Sequence, residues 1–144
     1  MKTYGFNLFL ITSFSYLLPL SAAEYAKVET KMDTSEAPKF LYKLLSIQDW
    51  ADSRQKNFVQ LSQVDHLFVH LATENQLEKV TEKFWATIPQ YVILKLETSQ
   101  LAGRLVYEAN PGSTNKYYHL YDGAIPLKSI VEVQLVTTNK KEFS

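Results

Sequence analysis

The chain has 144 residues, with 15 Lys and Arg against 15 Asp and Glu, a formal net charge of zero and no cysteine. That balance gives no electrostatic reason to bind nucleic acid or an anionic membrane. The missing thiols exclude disulfide staples and most structural zinc sites.

The first segment, "MKTYGFNLFLITSFSYLLPLSAA", carries one cation, Lys2, then an apolar run from Phe6 to Leu20, and ends on Ser21, Ala22 and Ala23. This is the pattern of a secretory signal peptide cleaved after Ala23, and the run is short of the roughly 20 apolar residues a membrane anchor needs. The expected product is exported, to a periplasm or to the outside, with no integral membrane segment left after signal removal. About 120 residues then remain, enough for one domain with its own core. Residues 24–38, "EYAKVETKMDTSEAP", lack a sustained apolar period and read as a flexible linker ending at Pro38. A single domain is expected over 39–137, and 138–144 reads as a polar tail.

Within the domain "KFLYKLL" is strand-like, and Ser46 caps a short helix, "IQDWADSRQ", with Asp49 in its first turn. "LFVHLAT" is the next strand. Thr73 and Gln76 then form a capping box for a helix whose Leu77, Val80, Thr81, Phe84 and Ile88 share one face, and which Pro89 ends. "YVILKLE" is a strand, "TSQLAGR" a turn, "LVYEA" a short strand, "NPGSTN" a loop, "KYYHLY" a strand, "DGAIP" a turn and "SIVEVQLV" the last strand. Helices early and strands late make this an α+β fold and not a regular βαβ repeat.

Strand alternation sets Phe68, His70 and Ala72 on one face, opposite Leu67, Val69 and Leu71; in the later strand Tyr117, His119 and Tyr121 share a face. Both histidines therefore sit among aromatic rings at a similar depth of a sheet. They either flank one aromatic cleft or are core histidines whose nitrogens are satisfied by backbone groups. His66 and His70 have the i, i+4 spacing of a helical metal pair, but on a strand they would stand roughly 13 Å apart, so no metal site is expected. Glu108 ends a strand beside the Pro-Gly loop, a position equally suited to a site or to a solvated edge charge. Trp50 and Trp85 read as core residues. No G-x-S-x-G, Walker loop or G-x-G-x-x-G occurs, and four glycines offer little material for a phosphate cradle.

The order of segments resembles domain-of-unknown-function family 952. The matching residues are Tyr42, Lys43 and Trp50; Phe68, His70, Leu71, Thr73 and Gln76; Tyr107 and Glu108; and His119 with Tyr121. The family usually sets Asp-Gly before the Phe of the histidine strand, where this chain has His66 and Leu67, and Ala72 stands in place of its Ser. The resemblance implies a split, bent, mostly antiparallel sheet with two main helices, similar to the ADP-ribosyltransferase-like group, whose crevice holds NAD in the enzymes. By that analogy His70, Glu108 and His119 would be the catalytic residues, and His70, Thr73, Tyr117, His119 and Tyr121 would contact the cofactor. His70 would orient the ribose, Tyr117 or Tyr121 would stack on the ring, and Glu108 or His119 would be the polar partner. The implied function is binding of NAD or a related nucleotide. The alternative is a non-catalytic secreted or envelope interaction domain that uses its histidines structurally; the sequence names no protein partner.

Overall fold

Strand β1, Phe40–Ser46, alternates cleanly: Leu41, Lys43 and Leu45 point to one side, Tyr42 and Leu44 to the other. The structure, a computed structural model, describes residues 37–138. The expected signal segment, nearly all of the linker and the tail beyond Thr138 lie outside them. Ser46 ends β1 and caps helix α1, Ile47–Ser53, its hydroxyl accepting the Asp49 N–H at 3.0 Å. β2 is Val69–Leu71, helix α2 is Leu77–Val80, and β3 is Gln90–Glu97. β4 is Ala102–Ala109, β5 is Lys116–Ala124 and β6 is Ile130–Thr137.

The fold is α+β, with two three-stranded antiparallel sheets, ordered β1-β3-β6 and β2-β5-β4. One antiparallel bridge, Tyr42 to Ala72, joins the β1 edge of the first sheet to the β2 edge of the second. The chain therefore makes one curved sequence of strands, β6-β3-β1-β2-β5-β4, split between β1 and β2. The main core fills the inside of the bend: Leu41, Leu45, Val92, Leu94 and Leu96 from the first sheet meet Val69, Leu71 and Leu120 from the second. Trp50 of α1 packs against this core. On the opposite side of the first sheet, Tyr42, Leu44, Tyr91 and Ile93 form a second cluster under Leu77, Val80 and Trp85. β3 thus buries both faces, which is why Tyr91 to Leu94 are apolar without interruption. Among the described residues no helix is long and apolar enough to cross a membrane.

Three expectations are corrected. The segment after Thr73 begins as a 3-10 turn, Glu74–Gln76, passes through α2, and becomes a π-helix over Thr81–Trp85. The wider turn advances the register by a residue, so Trp85 and not Phe84 reaches the second cluster; Phe84 and Ile88 are 55% and 38% exposed. The "DGAIP" stretch is not a turn at its start, because β5 runs on to Ala124 past a register shift opposite Gly103. Asp122, in the left-handed region at φ 50, absorbs the irregularity. The histidine strand pairs with β5 over only Val69–Leu71, and Leu67 is 69% exposed.

Candidate functional site

His70 and His119 are direct cross-strand partners in the β2–β5 ladder, with ring centroids 5.3 Å apart. The pairing follows from alternation, since both sit on the face of the second sheet turned away from the main core. Their surroundings differ. The His119 side chain is 1% exposed, whereas that of His70 is 40% exposed. Phe68 makes the difference by stacking on the His119 ring at 4.1 Å while meeting His70 only at a tilt.

Each histidine has its own carboxylate. Asp65 Oδ1 accepts both the His70 backbone N–H and the ring Nδ1–H, each at 3.0 Å, while Oδ2 takes the Lys43 ammonium at 2.8 Å. Burial pushes the Asp65 carboxyl up, but the His70 ring bond, the Lys43 charge and the His70 N–H together hold it at about 2. A carboxylate so far ionised is an acceptor only, which places a proton on His70 Nδ1 and leaves Nε2 without a hydrogen-bond partner among the described residues. Lys43 is 5% exposed, and its burial pulls the ammonium below its ordinary value although Asp65 opposes the change.

The second carboxylate, Glu108 on β4, accepts the His119 Nδ1–H at 3.0 Å and the Tyr121 hydroxyl. Those two bonds, Tyr121 first and His119 next, lower the Glu108 carboxyl, and Glu108 raises the Tyr121 phenol in return. Arg104 lies over the Tyr121 ring at 4.8 Å. His119 Nε2 is buried with no hydrogen-bond partner among the described residues.

Past the Tyr42–Ala72 bridge, β1 and β2 diverge and a cleft of about 430 Å³ opens. Lys43 and Leu44 line one side of it and His70 and Leu71 the other. Val80, Phe84 and Trp85 form a wall from the helical segment, and Asn110 and Tyr117 close the end near the Pro-Gly loop. The volume falls within the roughly 300–1,000 Å³ of small-molecule sites. Of the residues expected at a site, His70 and Tyr117 line this cleft. Glu108, His119 and Tyr121 converge on one another beside it and are not part of its lining. Thr73 is also outside the lining; its N–H donates to Gln76 Oε1 at 3.0 Å in the expected capping box.

Two site residues escaped the sequence reading. Lys43 matched the family pattern but was given no role, although it shares strand parity with Leu41 and Leu45, where alternation demands an apolar side chain. Asp65 lies in a 3-10 turn, Gln63–Asp65, three residues before Phe68, and no periodicity marks it. It is one residue further from the Phe than the acid of the Asp-Gly pattern.

The pH dependence follows from Asp65. Its folded value of about 2 lies below the ordinary 3.8, so its contribution is complete above the ordinary value and is lost as pH falls through the folded one. About 2 kcal/mol should disappear in that window. Urea midpoints measured down the acid range should fall there in wild type and stay flatter in Asp65→Asn.

Two antiparallel three-stranded sheets, a split between them and a cleft at the split define a small α+β domain with a pocket at its strand edges. The chain belongs to the family described as "Protein of unknown function (DUF952)", whose model matches residues 44–133. Among solved structures it is similar to the X-ray structure of protein CC0527 from Caulobacter crescentus, with 25% identity and a TM-score of 0.58, covering 66% of this chain and 83% of that one. The solution NMR structure of CC0527 matches at 19% identity and a TM-score of 0.51, covering 67% of this chain and 84% of that one. No protein of curated function matches the chain.

Proposed function

We propose that this domain binds a nucleotide of the NAD class in the cleft between β1 and β2, within an ADP-ribosyltransferase-like fold. The observation that carries the reading is the His70 ring, fixed by Asp65 and with Nε2 unpartnered among the described residues, on a cleft walled by Tyr42, Phe84, Trp85 and Tyr117. A ribose hydroxyl can donate to Nε2, and a flat heterocycle suits the aromatic walls. Binding is favoured over glycosyl transfer. An oxocarbenium-like transition state needs an available carboxylate, but Asp65 is neutralised by Lys43 and Glu108 is engaged by His119 and Tyr121.

The test is a two-dimensional NMR titration of the protein with NAD, ADP-ribose and nicotinamide. Shifts should cluster at His70, Val80, Phe84 and Tyr117. His70→Ala should weaken binding about tenfold, the worth of one hydrogen bond to a fixed ring. Because the ring is partly exposed, the same change should cost the fold only about 2 kcal/mol. No shift at millimolar ligand would sink the nucleotide reading. It would favour the second one, a non-catalytic interaction domain, for which the sealed His119 ring speaks. Export is part of the proposal, on the strength of residues 1–23; N-terminal sequencing of the mature protein should begin at Glu24.

A further inference from the structure

We propose that Lys43 is a nucleophilic amine, and that the cleft captures an aldehyde or ketone carried on a flat ring as a reversible imine. The proposal deepens the reading of the cleft as a ligand site and rests on it.

Lysine is almost never fully buried unless it is paired, and Lys43 is paired with Asp65. Here it sits at an inward position of β1, lines an otherwise largely apolar cleft, and meets one carboxylate oxygen at 2.8 Å. Removing an ammonium from water favours its neutral form, the form that attacks carbonyl carbon. The charged groups facing Lys43 are Asp65 and, more distantly, Asp49 of α1, both of which favour the ammonium; burial outweighs them. His70, held by the other oxygen of Asp65, lines the same cleft.

Lys43 gives a proton to Asp65 Oδ2, its acceptor at 2.8 Å, and its nitrogen lone pair forms the C–N bond while the carbonyl π pair moves to oxygen. Proton transfer from nitrogen to that oxygen yields a carbinolamine. Asp65 returns its proton to the hydroxyl, which leaves as water as the protonated imine forms. Asn110 is among the residues of the cleft, and its side-chain oxygen is buried without a hydrogen-bond partner among the described residues. No oxidant or reductant is consumed.

The probe is pyridine-3-carboxaldehyde, the aldehyde counterpart of nicotinamide, applied to the full chain near neutral pH with sodium cyanoborohydride to trap the imine. Peptide mass spectrometry then gives the rate at each lysine. Lys43 should be modified faster than the exposed Lys79, Lys83 and Lys128, because burial favours its neutral amine. Excess nicotinamide should slow Lys43 alone. Modification of Lys43 no faster than of the exposed lysines overturns the proposal. If nicotinamide still shifts Val80, Phe84 and Tyr117 in that case, the nucleotide cleft stands and only the amine chemistry falls. If neither labelling nor shifts appear, both readings fall together.

Discussion

Asp65→Ala should destabilise the protein by about 3–5 kcal/mol, the cost of leaving one member of a buried ion pair without its partner. Asp65 is 6% exposed and Lys43 5%, so water cannot replace the lost carboxylate. The same change strips the acceptor from the His70 N–H and ring. Adding Lys43→Met should recover most of the loss, because the stranded ammonium carries the larger penalty and methionine fills similar volume. Urea unfolding of the single and double variants decides this: no recovery would locate the penalty at His70 instead.

Gly123→Ala should cost about 3 kcal/mol, the upper end of the ordinary range for forced overpacking. A Cβ on Gly123 would fall on the Ala102 carbonyl oxygen and within 2.7 Å of Gly103 Cα. Both neighbours are backbone, which cannot rotate aside as a side chain would. Gly103 is constrained from its own side, with φ +122 and the Tyr121 carbonyl oxygen 2.5 Å from its would-be Cβ. The two glycines let β4 and β5 cross closely at their irregular end, and thermal unfolding of Gly123→Ala against Gly112→Ala separates this contact from backbone strain alone. Gly112 has positive φ but nothing within 4 Å.

The elements whose local chemistry agreed with their environment were readable from the sequence. Ser46 and Asp49 announced α1, and Thr73 with Gln76 announced the turn into α2, because a cap is a local hydrogen bond between near neighbours. The histidine pair was half readable: alternation put His70 and His119 on comparable faces, but not in register. Burial was beyond that pattern, since Phe68 covers one ring and leaves the other partly open. The π-helical turn at Thr81–Trp85 was not readable, because Phe84 and Trp85 are equally good core residues and a one-residue change of phase decides between them. The Lys43–Asp65 pair was missed for a related reason: it joins positions 22 apart through a loop, where no repeat exists to be counted.

Two hydrogen bonds, Tyr42 N–H to the Ala72 carbonyl at 2.8 Å and Ala72 N–H to the Tyr42 carbonyl at 2.9 Å, are the backbone pairing between β1 and β2 among the described residues. Mechanically they are a rivet at the apex of a V. A small change of angle between the sheets would alter the mouth of the cleft while leaving the ladder inside each sheet intact. Hydrogen exchange at these two amides is therefore a gauge of that angle. A ligand that wedges or clamps the V would register there even if it touched neither residue, with the central β3 amides as an unmoving reference.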